Sequence, residues 1–443
     1  MHDIAKQARA DKVYFVDLQF TDIIGSVKSV TIPVTQLDDA LERGVWFDGS
    51  SIQGFARIFE SDMVLAPDAT TYRVLPWSLA EQRRARIICD IQRPDGSPFM
   101  GDPRAALRRA VAHAESLGMT YNCGPELEFF LFRRNDGMPF SPVPHDTGGY
   151  FDFSPVDEAA TIRSEIILAL EQMGMKVEAS HHEVALGQHE IDFEYADALS
   201  TADNAVTFKT VVKAVAALHG LHATFMPKPI FGINGSGMHV HQSLADRETG
   251  KNLLYAEDDE YKLSPLAYHF IAGQLHHSRA LAAVVAPTVN SYKRLTPGYE
   301  APVYICWAQT NRSALIRIPR YSPGREQSTR IELRFPDPSC NPYLAFAAML
   351  EAGLDGVAKK MQPPAPANED LYDLDAAELR EREIDTLPGT LGEAIDELER
   401  SEVVQAALGE HIARWFLMAR RAEWDEYRIQ VSQWEIRRYL DTL

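Results

Sequence analysis

The sequence predicts an α+β fold in two parts, and three observations carry that prediction. Short β-type runs joined by turn-rich connections fill the first hundred residues, a break marked by Pro, Asp and Gly follows at "RPDGSPFMGDP", and β runs then alternate with long helices. The boundary falls near residue 103, giving an N-terminal unit of residues 1–103 and a larger unit of residues 104–443.

In the first unit "KVYFVDLQF" and "RIICDIQ" read as strands and "TQLDDALERG" as a short helix, which together make a compact strand-rich domain. At the break Asp102 is placed to cap a helix that has Pro103 at its first position. In the second unit "GPELEFFLF", residues 124–132, alternates in a strand-like way, so Glu126 and Glu128 share one face while Leu127 and Phe129 share the other. "PVDEAATIRSEIILALEQMG" and "ADNAVTFKTVVKAVAALHG" read as helices. Residues 362–401 form a Pro-punctuated acidic excursion expected at the solvated surface, and a helical tail ends "WDEYRIQVSQWEIRRYLDTL".

With 443 residues, 45% hydrophobic and 24% charged, the composition is that of an ordinary globular protein. A net charge of -19 argues against nucleic acid and anionic membrane surfaces as partners, because both need a cationic face. Small anionic substrates remain compatible, provided that arginines or metals make a local positive site. The cysteines Cys89, Cys123, Cys306 and Cys340 form no CxxC pair, and buried free thiols in a reducing compartment are expected. Charge interrupts the N-terminal segment and no long apolar run follows, so a cytoplasmic location is expected.

Two carboxylates side by side in an apolar setting repel each other, and desolvation worsens the repulsion. Some positive charge must hold them. "HHEVALGQHEIDFEYA" adds Glu183 before a glycine turn and Glu190 after it, with Asp192 and Glu194 on the strand face of Glu190. "NGSGMHVHQSL" sets His239, His241 and Ser243 on one face, and "TRIELRFPDPSCNPY" does the same for Arg330, Glu332 and Arg334. Carboxylates with at most one imidazole suit Mg²⁺ or Mn²⁺ better than zinc. The arginines Arg294, Arg312, Arg317, Arg330 and Arg334 suit phosphate and carboxylate oxygens. Metal plus arginine clamp points to phosphoryl transfer, with metal-assisted hydrolysis as the rival chemistry. Alone, each motif is also an ordinary polar strand face. "GINGSG" is no P-loop, so a nucleotide needs another kind of site.

Together and in this order, "FDGSSIQGFARIFESDMVLAPD" (47–68), "GPELEFFLF", "HHEVALGQHEIDF", "NGSGMHVHQSL", "NSYKRLTPGYEAP" (290–302), "NRSALIRIP" (311–319) and "RIELRFPDPSCNPYLAF" (330–346) resemble glutamine synthetases of the bacterial and archaeal type I. The likeness runs from about residue 14 to the C-terminus. It implies an N-terminal β-grasp-like domain, a large α/β catalytic domain with a funnel-shaped site between subunits, and a homo-dodecamer of two hexameric rings locked by the C-terminal tail. It also implies ATP-dependent condensation of glutamate with ammonia through γ-glutamyl phosphate, with ATP as co-substrate and two or more Mg²⁺ or Mn²⁺ ions per site.

By that resemblance Glu128, Glu183 and Glu190 ligate one ion, and Glu126, His239 and Glu332 the other. Arg317, Arg330 and Arg334 face the transferring phosphate and Arg312 stabilises its charge. Arg294 clamps glutamate with the backbone around Asn234 and Gly235, while Glu178, His241 and Ser243 contact the nucleotide. Asp48, with Ser51 beside it, binds and deprotonates ammonium for the neighbouring subunit, and Glu300 is the flap that keeps water out. Length and tail ending resemble the alpha branch, where Arg57 matches an arginine tied to feedback by glutamine; Tyr372 stands in a context similar to the adenylylated tyrosine of the beta branch. A ligase for an organic amine and a non-catalytic regulatory homologue are the alternatives. Retention of Asp48 opposes the first, and retention of all six presumed ligands opposes the second.

Overall fold

The computed structural model describes residues 2–50, 52, 54, 62–134, 142–297, 301–369, 371, 374, 376–382 and 384–443. Strands β1 (Phe15–Thr21), β2 (Val27–Pro33), β3 (Val45–Asp48), β4 (Asp62–Pro67), β5 (Arg73–Val74) and β6 (Arg84–Gln92) form the first sheet, in the order β2-β1-β6-β4-β3 with β5 also on β6. β1 and β6 run parallel, and Val16, Leu18, Ile87 and Leu65 fill the core beneath them. The helix Leu37–Arg43 lies where the apolar spacing predicts one. A further helix, His2–Ala10, was not foreseen; its small residues Ala5 and Ala8 recur at helical spacing and are buried.

The second sheet is built on β7 (Met119–Arg133), with β8 (Val177–His182), β9 (Gln188–Phe193), β10 (Ala196–Asp197), β11 (Leu221–Thr224), β12 (Met238–Asp246), β13 (Tyr304–Ala308), β14 (Ala314–Arg317) and β15 (Ile331–Leu333). Its path is β13-β14-β15-β12-β7-β9-β8. Leu127, Phe129, Ile191, Val240 and Leu333 cover one face and are fully buried against the helices. The opposite face stays polar. Helix Ala198–Leu218 packs against β7 and β11, and Pro265–His276 against Pro342–Lys359. That last crossing is close: a Cβ on Gly273 would lie 2.3 Å from the Ala352 carbonyl oxygen, so only glycine fits.

The acidic excursion is less solvated than its composition suggests. Leu387, Leu391, Ile395 and Leu398 are buried, the last three along one face of the helix Leu391–Arg400. Charge count hides a helical apolar stripe. Among the described residues no helix is long and apolar enough to cross a membrane, and all four cysteines are buried free thiols.

The two sheets are joined by charge. Asp102 accepts from the Arg104 amide and starts the helix Pro103–Ser116. The Arg104 side chain then reaches Asp68 at 2.8 Å, Asp90 at 2.6 Å and Asp203 at 2.8 Å, and Tyr343 Oη donates to Asp203 at 2.7 Å. Arg104 is almost fully buried, so removing it strands the buried Asp203 and the half-buried Asp68 and Asp90. Arg104→Met is expected to cost about 3–5 kcal/mol of stability, measured by chemical denaturation of the purified protein. A loss below about 1 kcal/mol would mean that packing rather than this charge cluster ties the sheets together.

Candidate active site

Register assembles the site. β7 pairs antiparallel with β9 so that Glu126 faces Asp192 and Glu128 faces Glu190, while β12 on the other side sets His239 opposite Glu126. β15 pairs with β12 to place Glu332 opposite His241, and β14 then sets Arg317 opposite Glu332. Directly paired residues point to the same face of a sheet. One polar row thus crosses five strands, and the fully buried Leu127, Phe129 and Ile191 lock it, since a one-residue slip would turn them outward.

The row has two electrostatic halves. On the β9 side, burial and then the charge of Glu183 push the Glu128 carboxyl up to about 8. Burial and then Glu128 and Asp192 push Glu190 up as well, and burial with Glu126 takes Asp192 to about 6. Glu128 Oε2 accepts from the Gly237 amide at 2.9 Å and from Gln188 Nε2 at 3.1 Å. The His181 imidazole stands 3.6 Å from Glu183 and 3.7 Å from Glu190. This is a carboxylate cluster short of positive charge.

On the β15 side the balance reverses. Burial alone would raise Glu126, but the His239 and His241 imidazoles outweigh it and hold the carboxyl well below its usual range. His241 Nε2 lies 2.7 Å from Glu126 Oε1, and His239 Nδ1 lies 3.4 Å from Glu126 and 3.6 Å from Glu332. Burial likewise opposes ionisation of Glu332, yet His241, Arg334, His239 and Arg317 keep it low. Arg317 Nε donates directly to Glu332, and Arg334 Nε is 3.3 Å from it.

Two cavities open on opposite sides of the row. A small one of about 50 Å³ brings together Glu128 and Glu183, expected at one metal ion, His239, expected at the second, Asn234, Gly235 and Arg294, expected to hold glutamate, and Arg334, expected to face the transferring phosphate. Arg294 is buried, and its guanidinium donates to the carbonyl oxygens of Phe335 at 3.0 Å, Pro336 at 3.2 Å and Arg334 at 3.2 Å. The larger, about 400 Å³, is lined by Glu126, Glu178, His241, Ser243 and Arg330, the residues assigned to nucleotide together with one metal ligand. Arg330 Nε donates to His241 Nδ1 at 3.1 Å.

Not every assigned residue lies here. Asp48 is exposed at the end of β3, lines neither cavity, and accepts from the Ser50 amide at 2.8 Å; hydrogen bonds from Ser50 hold its carboxyl below the usual range. Arg312 is exposed, and its carbonyl oxygen accepts from Arg334 Nη1 at 2.8 Å. Ser51, Arg57, Glu300 and Tyr372 lie outside the described residues. Three contributors had no assigned role in the sequence: His181, Gln188 and Asp192. Asp192 was placed on the face of Glu190 by the two-residue period, but without a role. His181 could not be placed, because only the β8–β9 register sets it opposite Glu190.

A profile of the glutamine synthetase β-grasp domain matches residues 12–94, and one of the glutamine synthetase catalytic domain matches residues 100–439. The glutamine synthetase of Methanosarcina mazei is 54% identical over 442 residues, covering 100% of this chain and 98% of that one. That of Thermus thermophilus is 53% identical over 445 residues, covering 99% and 98%. Among solved structures, the GmaS/ADP complex aligns over the whole of both chains with a TM-score of 0.90 and 35% identity. The cryoEM structure of Plasmodium falciparum glutamine synthetase aligns with a TM-score of 0.89 and 27% identity, covering 99% of this chain and 98% of that one.

The carboxylate cluster has a thermodynamic signature. Glu128 binds its proton more tightly folded, near 8, than its ordinary 4.5, so the folded state holds more protons and the stabilisation is lost as pH rises through that window. A divalent cation bound there would take the place of the proton. The melting temperature of Mg²⁺-loaded protein is therefore expected to exceed that of chelator-treated protein by a margin that widens from about pH 5 to about pH 8. Glu190→Gln should narrow the margin, and a margin independent of pH would show that no cation meets these carboxylates.

Proposed function

Because the chain belongs to the glutamine synthetase family of ligases, we propose that it joins glutamate to ammonia with ATP, through γ-glutamyl phosphate. The observation that carries this reading is the polar row between two cavities, one closed by Arg294 and the other by Arg330. A carboxylate donor fits the small cavity and a nucleotide the larger.

The oxygen-rich donor set with its imidazole fits hard divalent ions, and the raised carboxyls of Glu128 and Glu190 mark where positive charge is missing. Glu128, Glu183 and Glu190 would hold one Mg²⁺ or Mn²⁺, and Glu126, His239 and Glu332 a second. Bound there, such ions neutralise phosphate oxygens during transfer. The chain's own groups do the rest. Arg294, fixed by three carbonyl oxygens, orients the glutamate carboxylate beside Asn234 and Gly235. Arg334, Arg317 and Arg330 would meet the phosphoryl group from the β14–β15 side, and Arg312, in the segment just before β14, would stabilise its charge. Glu178, His241 and Ser243 edge the nucleotide cavity.

Asp48 keeps its charge and stays accessible, which suits attraction of NH₄⁺; its low basicity means that burial against another subunit is needed before it can accept a proton. That supports a site completed by assembly, with two hexameric rings as the expected form. Glu300 would close the reacting centre, and Ser51 would stand beside Asp48. The unit boundary is placed at residue 103.

A ligase for an organic amine is the second reading, because membership of the family does not by itself fix the nitrogen donor. Identity above 50% to enzymes named glutamine synthetase, and the aspartate at position 48, favour ammonia. Comparing phosphate release with ammonia, ethanolamine and putrescine tests this: ammonia is expected to give the highest kcat/KM, and faster turnover with an amine overturns the reading. Glu332→Ala is expected to lower kcat by about a thousandfold or more with an unchanged circular dichroism spectrum. Asp48→Ala is expected to raise the KM for ammonium at least about tenfold while leaving that for ATP within about twofold; equal effects on both would remove Asp48 from ammonium binding.

A further inference from the structure

A third cavity, about 600 Å³, lies away from the polar row. It opens between the β1–β2 turn at Gly25 and Ser26, the helix Ala198–Leu218, and the segments Phe225–Pro227 and Thr288–Asn290. Two lysines enter it from successive turns of that helix, Lys209 and Lys213. Lys209 Nζ donates to the carbonyl oxygens of Pro338 at 3.2 Å and Cys340 at 3.4 Å, which uses two of its three N–H groups. Lys213 Nζ stands 5.8 Å from the centre of the Phe225 ring and keeps solvent exposure. Among the described residues neither lysine pairs with a carboxylate.

Among the described residues of the lining the one carboxylate, Glu423, is already engaged. Its Oε1 accepts from the Val289 amide at 3.1 Å and its Oε2 from Arg420 Nη1 at 2.7 Å. Thr224 Oγ1 accepts from the Met226 amide at 3.2 Å, so its proton is free to donate. In a chain of net charge -19, a roomy cavity with two ammonium groups, a hydroxyl donor and a carboxylate paired elsewhere is locally cationic. Burial lowers the affinity of both lysines for their protons, an effect that the nearby Asp337 carboxyl offsets only in part at Lys209.

The walls also lead to the small active-site cavity. Pro227 is followed by Lys228, whose amide donates to Asn290 Oδ1 at 2.7 Å and whose carbonyl oxygen accepts from Asn290 Nδ2 at 3.0 Å. The Pro227 carbonyl oxygen accepts from the Ser236 amide at 2.8 Å, anchoring the loop with Asn234 and Gly235. Asn290 directly precedes the short helix Ser291–Arg294. The cavity therefore sits at the common root of the two segments that carry the glutamate contacts.

We propose that this cavity binds a small oxyanion, a carboxylate or phosphate, through Lys209 and Lys213, and that its occupancy shifts glutamate affinity. The binding half stands on the cavity alone; the coupling half rests on the reading of Asn234, Gly235 and Arg294 as glutamate contacts. Such coupling is reciprocal.

The full-length assembled protein would be titrated calorimetrically with inorganic phosphate and, separately, with succinate at constant ionic strength. A saturable site is expected that weakens at least about tenfold in Lys213→Met, a variant that removes no hydrogen bond and keeps the fold, and likewise in Lys209→Met. Response to phosphate alone, or to succinate alone, supports the site and identifies the anion. Equal binding in wild type and Lys213→Met, or no saturable binding, overturns it. For the coupling, the anion should shift the KM for glutamate at least about threefold in wild type beyond any shift in Lys213→Met. A bound anion with identical shifts in both proteins overturns the coupling and leaves the site standing.

Discussion

The structure depends on like charges being forced together by strand register. Glu126, Glu128, Glu190 and Asp192 cannot separate, because Leu127, Phe129 and Ile191 alternate with them and are buried on the other face. Relieving the repulsion by moving a strand would expose that core, and three buried side chains of this size represent about 5–9 kcal/mol of transfer free energy. Fold stability therefore maintains an electrostatic arrangement that is unfavourable until a proton or a cation enters. A cluster in this condition has a built-in affinity for positive charge.

The row is graded rather than uniform. Toward β9 the carboxyls meet mainly one another and hold protons strongly; toward β15 each has an imidazole or guanidinium within 4 Å and stays ionised. Glu126 belongs to both halves, facing Asp192 across one ladder and His239 across the other. A cation entering the β9 side relieves a deficit, whereas one entering the β15 side must compete with Arg317 and Arg334 for Glu332. Cations at these two positions would differ in affinity for this reason, and guanidiniums that yielded Glu332 would be free to meet an anion.

Much of this was legible in the chain. The period of two in "PELEFF" and "MHVHQS" fixes which side chains share a face, and both strands form as read. Asp102 and Pro103 start their helix because capping is a local interaction that needs no knowledge of the rest. Pairing is what the sequence leaves open: nothing local says that β12 rather than β8 lies beside β7, so the meeting of His181 with Glu190 and the division of the row into two cavities emerge only with the sheet order. The helix His2–Ala10 and the packed face of Leu391–Arg400 were hidden by high charge, since a stripe of two or three apolar residues weighs little in composition but suffices to bury one helix side. Asp48 is the reverse case, a position whose motif is readable and whose surroundings in one chain are solvent.

A strongly acidic protein that handles anions must create positive potential without cancelling it. The guanidiniums here are oriented largely by backbone carbonyl oxygens: those of residues 334 to 336 for Arg294, of Arg312 for Arg334, and of Ser328 for Arg330. A carbonyl accepts a hydrogen bond and fixes the fork, yet carries no net charge, so the cation's field survives into the cavity. A carboxylate partner would fix the fork equally well and extinguish the field. Arg317, and on its Nε side Arg334, instead pair with Glu332, and that pairing is conditional, because Glu332 is also a member of the donor row. Orientation by neutral dipoles on one side and by an exchangeable carboxylate on the other lets a chain of net charge -19 present a rigid cationic wall to an anionic substrate.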